Sequence, residues 1–274
     1  MIRIFLKNPL GLVGALVALA VVVVGVCGPW LAPHDPYRVD MSDRFLPPGP
    51  GHPFGTDASG RDVLSRVIVG TRFTLEVAVV VVSIALMLGM VVGGVAGYYG
   101  GAIGELLMRL TDIFLSFPPL VLALAVNAAL GPGLFSAMLA VGFTWWPGYA
   151  RVVRAVVLQA RDNLYVEAAR ACGCSNAVVL LRHVLPNCWA PVIVQVTLDV
   201  GYAVLTTAGL SFVGLGAQPP MAEWGAMVAE GRNYILSHWW WSTFPGLALF
   251  VTVVGFNLLG DFLRDVLDPR LRKQ

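Results

Sequence analysis

From Leu10 to Leu31 the chain carries no charged residue. A helix needs about 20 largely apolar residues to cross the hydrocarbon of a bilayer, and this run supplies them. Five further stretches qualify: Val77 to Gly97, Leu106 to Leu130, Leu134 to Val157, Cys188 to Leu215, and Trp239 to Leu259. Hydrophobic residues make up 57% of the 274-residue chain and charged residues only 12%. A soluble domain averages about 25% charged residues, so this chain has too little charge to cover a surface in water. The pattern predicts an all-α integral membrane protein with about six transmembrane helices.

Lys and Arg in the short connections set the orientation. Between the fourth and fifth spans stand Arg151, Arg154, Arg161, Arg170 and Arg182 against Asp162 and Glu167. Both tails are basic, with Arg3 and Lys7 at one end and Arg264, Arg270, Arg272 and Lys273 at the other. An even number of spans with both termini in the cytosol satisfies this, and puts the four-to-five connection there too. The first run is longer than the apolar core of a signal peptide, so an uncleaved first helix is expected. The loop from Pro33 to Arg72 falls outside, and its Pro47-Pro48-Gly49-Pro50-Gly51 tract opposes a long helix. Trp239, Trp240 and Trp241, with Tyr98 and Tyr99, stand where interface anchors belong. Residues 1–70 are expected to form the first span and outer loop, and residues 71–274 the core membrane unit.

Several chemistries are excluded or weak. Net charge is +2 and the basic residues are scattered, so nothing points to nucleic acid. Cys172 and Cys174 are spaced too tightly for a C-x-x-C pair, and the four histidines are dispersed, so no metal is expected. Gly55 to Asp62 spaces its glycines as a phosphate-binding loop does, but Arg61 and Asp62 replace the Lys and Ser/Thr that chemistry requires. No paired carboxylates or Ser-His-Asp set stands out, so the chain is expected not to be an enzyme. Arg109 and Asp112 are one turn apart and able to pair. Pro118-Pro119 and Pro147 should kink their helices. Asp199, with Gln195 one turn earlier on the same face, is an ionisable residue inside a span. Such a residue lines a translocation route or ties helices together.

The connection between spans four and five is the most informative segment. Tyr165 to Ala171 is helix-forming yet too polar to span, Gly173 can end that helix, and Ser175 or Asn176 can cap a second. Pro186 marks re-entry into the membrane. On physical grounds alone this is either a rigid knob for a soluble partner or an ordinary amphipathic connector.

Glu167-Ala168-Ala169, Gly173 and Leu185-Pro186 resemble the EAA loop of binding-protein-dependent ABC importers, with His183 departing from the usual apolar position. Gly55-Thr56-Asp57 with Gly60-Arg61-Asp62 is similar to the outer-loop signature of the dipeptide/oligopeptide/nickel permease group. Gly214 to Pro220, Glu223-Trp224-Gly225, Phe256 to Asp261 and Leu267-Asp268-Pro269 extend the likeness over nearly the whole chain, to the "C" subunit of those systems. The resemblance implies a type I ABC importer permease fold in the bacterial inner membrane, with the EAA loop (about 160–187) as the coupling site. It also implies a second homologous permease as heterodimer partner, two ABC ATPase subunits and a periplasmic substrate-binding protein. No cofactor belongs to this chain, ATP and Mg being held by the ATPases. Short peptides are the expected cargo and nickel or a metallophore the alternative. A secondary transporter is the competitor from another class, and would need repeated halves that the chain lacks.

Overall fold

The computed structural model describes residues 9–267, which are almost wholly helical with no strand among them. The basic residues Arg3, Lys7, Arg270, Arg272 and Lys273 lie outside the described residues, as does Asp268-Pro269. Helix α1 is Pro9–Leu31 and α2 is Val63–Tyr99. Helices α3, Gly101–Leu115, and α4, Pro119–Leu130, are bent by 89° at Ser116 to Pro118. Helix α5 is Leu134–Ala160, α6 is the short Leu164–Ala171, and α7 is Asn176–Phe212. Helices α8, Trp224–Gly231, and α9, Trp240–Leu267, complete the chain.

By length and composition α1, α2, α7 and α9 can each cross a membrane, and the broken α3–α4 pair makes a fifth candidate. Neither half of that pair reaches the roughly 30 Å of the hydrocarbon core alone, at 1.5 Å per residue. The fourth expected span, α5, is 27 residues and long enough, but Trp145 to Tyr149 and two arginines dilute its apolar character. Much of that polarity turns inward, since Trp146 and Tyr149 are buried. The proline kink expected near Pro118 is thus a right-angled break, while Pro147 is carried inside a continuous α5.

The second helix starts well before Val77. Asp62 caps it by accepting from the Ser65 N–H at 2.8 Å and the Ser65 hydroxyl at 2.6 Å, and Arg66 is fully buried in ion pairs. The charges that mark Val63 to Arg72 as loop are therefore neutralised in place. Helix α2 runs through residue 70, so the two units expected at that boundary share it. Arg109 pairs with Glu105, one turn back, at 2.5 Å, while Asp112 pairs across to Arg151 at 2.6 Å. The expected Arg109–Asp112 pair does not form because each has a better-placed partner.

Helices α2 and α5 form the centre. Gly89, Gly93 and Gly97 on α2 bring its backbone onto α5, where a Cβ at Gly97 would meet Val157 at 2.9 Å and the Arg154 carbonyl at 3.0 Å. Small residues at four-residue spacing permit that approach. Val77, Val81, Ala85, Val141, Tyr149 and Leu210 fill the space beside this seam. A second small-residue face on α1, Gly11, Gly14, Gly25 and Gly28, lays it against α9 and α2.

Candidate functional site

The motif between α5 and α7 folds as a compact knob. Asn163 turns the chain into α6, and its side-chain amide donates to the Ala160 carbonyl at 3.1 Å. At the other end the Cys174 N–H bonds the Ala169 carbonyl at 3.1 Å and the Gly173 N–H the Arg170 carbonyl at 2.9 Å. These two bonds define a Schellman stop, which needs a left-handed residue at Gly173, whose φ is +84°. A Cβ there would meet nothing within 4 Å, so the requirement for glycine comes from backbone strain and not from crowding within this chain.

Only one face of α6 is held. Val166 and Ala169 are buried in an apolar cluster with Tyr98 of α2, Val153 and Val157 of α5, and Val179, Leu180 and Val184 of α7. Polar contacts reinforce it: the Tyr98 hydroxyl donates to Asn176 Oδ1 at 3.0 Å, and the Arg170 guanidinium sits 5.4 Å over the Tyr98 ring. Leu164, Glu167 and Ala168 face outward, with Leu164 82% exposed.

Ser175 occupies the N-cap position of α7 without a side-chain bond. No break follows at Pro186. The segment stays helical through a π turn over Val179–Val184 and a 3-10 turn over Leu185–Cys188, where Pro186 sits in a first turn that needs no N–H. The knob is thus one short helix plus the start of α7, continuous with the span. Leu185 is half-buried and Pro186 exposed. Tyr98, read as an interface anchor, is instead part of the knob's packing.

The outer-loop signature builds a different object at the other end of α2. Thr56 and Asp57 are fully buried, Arg61 and Asp62 nearly so, and Gly55 and Gly60 adopt φ of +71° and +73°. Arg61 Nε donates to Asp57 Oδ2 at 2.6 Å and its Nη2 to Glu230 Oε2 at 3.2 Å. Arg66 lies 3.8 Å from Asp57 and 3.9 Å from Glu230, and donates to the Pro36 and Pro220 carbonyls, both at 3.3 Å. Trp240 donates to the Thr56 carbonyl at 3.0 Å. Trp240 and Trp241 are buried under this cap, and only Trp239 is exposed as an interface anchor would be. Glu223 is buried too and caps α8 through the Gly225 and Ala226 N–H groups, both at 2.9 Å. Burial pushes the carboxyls of Glu223 and Glu230 above their ordinary value, against the pull of those donors and of Arg66 and Arg61. The six signature residues therefore clasp the loop to α2, α8 and α9, with Asp57 and Arg61 paired inside the clasp.

Inside α7 the Gln195 amide donates to both Asp199 oxygens, at 3.0 and 3.1 Å, and Tyr149 lies beside them. Gln195 also lines an apolar cleft of about 500 Å³ between α5, α7 and α9, which Asp199 does not.

A knob anchored on one face and a clasped loop thus stand at opposite ends of α2, with long apolar helices between them. The family described as binding-protein-dependent transport system inner membrane component matches residues 85–273. This chain belongs to that family. A second match, to the N-terminal transmembrane domain of oligopeptide transport permease C, covers residues 1–48 of the permease. It is 48% identical to the "Probable D,D-dipeptide transport system permease protein" of Escherichia coli K12, over 96% of this chain and 88% of that one. A di/tripeptide transport system permease protein of Pseudomonas aeruginosa is 42% identical, over 98% and 90%. A glutathione transport system permease protein of Pectobacterium atrosepticum is 38% identical, again over 98% and 90%. The permease is a transport subunit of a multi-pass membrane assembly.

Sequence reasoning gave no role to Val166 or Glu230, and carried Glu223 only as part of a family motif. The first has a local signal, an apolar residue before Glu167 three positions from Ala169. Glu230 has none, standing 169 residues from Arg61.

Proposed function

We propose that this permease imports short peptides across the bacterial inner membrane, and that the knob is where an ABC ATPase grips it. The observation behind the knob's role is the two-sidedness of α6: Val166 and Ala169 are locked into the bundle while Leu164, Glu167 and Ala168 stand free. A partner pushing on that free face moves α2, α5 and α7 together, because all three pack on the other. The full assembly would hold a second, homologous permease, two ATPases that bind ATP and Mg, and a periplasmic binding protein that docks on the outer cap. Both termini would then be cytosolic. The relatives' names support peptide cargo over nickel or a metallophore, and family membership displaces the secondary-transporter reading. Asp199 and Gln195 offer the substrate a polar contact along the route between the helices.

Co-purification of the ATPases, alongside peptide uptake in cells, tests the coupling role. Gly173→Asp should reach the membrane in nearly normal amounts, lose the ATPases and abolish uptake. Glu167→Lys should do the same more mildly, because it reverses one solvated charge. Full uptake by Gly173→Asp with the ATPases still bound would reduce this loop to a connector. A reporter fused at Gln274 that reads outside would overturn the orientation.

A further inference from the structure

The structure gathers two of the four histidines that look dispersed in the sequence. His34 follows α1 and His52 follows the Pro-Gly tract, yet their rings lie 4.8 Å apart, centroid to centroid. Asp62 completes the group: His34, His52 and Asp62 each present a ligand atom, and these atoms all lie within 4.8 Å of one another. His52 Nδ1 is 2.9 Å from Asp62 Oδ1. The group lines a cavity of about 410 Å³ whose wall also includes Asp35, Asp40 and Asp43. Arg38 is the basic residue in that wall, and it leans on Asp40 at 3.7 Å.

We propose that His34, His52 and Asp62 bind one divalent transition-metal ion of the zinc class, which pins the outer loop to the start of α2. The donor set is two imidazoles and one carboxylate, which suits zinc and its neighbours and not calcium or magnesium, whose ligands are oxygens. Metal–nitrogen bonds of about 2.0–2.1 Å require tetrahedral ligand atoms roughly 3.4 Å apart. Neither histidine is buried, so small rotations of their side chains close the remaining gap. The cavity leaves the fourth position open to water.

Two features show a site already organised. The Ser65 hydroxyl donates to Asp62 Oδ2 at 2.6 Å and accepts from the His34 main-chain N–H at 3.0 Å, so one side chain holds the Asp62 carboxylate and the backbone that carries His34. With Oδ2 held by Ser65, Oδ1 is left to face His52, and an ion there replaces the proton the two now share. The surrounding aspartates make the cavity a cation sink without themselves needing to ligate. The ion would be resident and not cargo, because the signature residues around it are clasped into the cap and leave no passage onward.

Full-length chain in lipid nanodiscs, stripped with EDTA and titrated with zinc chloride against a chromophoric chelator, tests this. One ion should bind per chain, and cobalt(II) in its place should give the visible absorption of a nitrogen- and oxygen-ligated site. His34→Ala and His52→Gln should each weaken binding by tenfold or more. His183→Ala, in the knob, should change nothing. Zinc should also raise the melting temperature of the wild-type chain but not of His34→Ala. Absence of stoichiometric binding by the wild-type chain would overturn the site, as would unchanged affinity in both His34→Ala and His52→Gln.

Discussion

At its Val63 end α2 is surrounded by charges taken out of water, and at its Tyr99 end by apolar side chains that hold a polar face out to solvent. The cap is closed: Asp57, Arg61, Arg66 and Glu230 find one another or main-chain carbonyls. The knob is open, with α6 anchored on one side and free on the other. Ion networks of the first kind are brittle, because removing one member leaves its partners charged and buried. Apolar anchoring tolerates change in small steps, each in proportion to the volume lost. The cap, with its single fixed shape, carries the first, and the knob, with its free face, carries the second.

The largest expected effect comes from Arg66→Met. It leaves Asp57 and Glu230 with Arg61 as their one remaining cation and takes the donor from the Pro36 and Pro220 carbonyls, at a cost of about 3–5 kcal/mol. Membrane abundance should collapse, and the melting temperature of whatever chain is recovered should fall steeply. A variant as abundant and stable as wild type would break the contrast between the two ends. Val166→Ala should cost about 2 kcal/mol, from two lost methyl groups and the void left behind. Amide hydrogen exchange over residues 164–174 should quicken while exchange in the cap stays unchanged. If the cap quickened as well, the two ends would not be separate units.

Gly173→Ala should cost about 1 kcal/mol, the strain of a left-handed backbone with open space around the new methyl. A much larger loss in a melt of the isolated chain would mean that the Schellman turn bears load beyond its own two bonds. A pH series sharpens the contrast from the other side. Glu223 and Glu230 hold their protons more tightly folded than unfolded. The stability they contribute is complete below the ordinary glutamate value and declines as pH rises through the raised values. Melting temperature should therefore fall with rising pH, and Glu223→Gln should flatten part of that slope while keeping an acceptor for the α8 N–H groups. Unchanged slope in Glu223→Gln would assign the dependence elsewhere. Arg232→Ala should stay within about 0.5 kcal/mol, since its guanidinium is exposed, rests over Phe212 and donates to the Phe212 carbonyl at 3.4 Å.

The knob is legible in the sequence because everything that shapes it is near in the chain. Glu167-Ala168-Ala169 favours a helix, and Gly173 supplies its left-handed stop. The long apolar runs are legible for the same reason, and the break at Pro118, the early starts of α2 and α7 and the longer end of α9 shift their bounds. The cap is legible as a motif and opaque as a structure. Gly55 to Asp62 stands out by spacing, but what it grips lies far away: Trp240 is 184 residues from Thr56, and Pro220 is 154 from Arg66. Composition makes Arg66 one of several balancing loop charges, whereas burial makes it the centre. Trp240 and Trp241 look like lipid-facing anchors because a tryptophan at a span's edge usually is one, and only the folded loop above shows what covers them.

The length of α2 has a mechanical corollary. Its 37 residues make a rod of roughly 55 Å, stiffened along its Tyr99 half by the glycine seam with α5. One tip is bolted into the cap and the other abuts the knob through Tyr98. A rod of that kind multiplies angle into travel: with the cap as fulcrum, a tilt of about 5° carries the Tyr99 tip roughly 5 Å, close to one helical turn. Stroke at the knob can thus be exchanged for very small rotations at the opposite face, and the stiffness of the fulcrum sets how much of a push survives the journey.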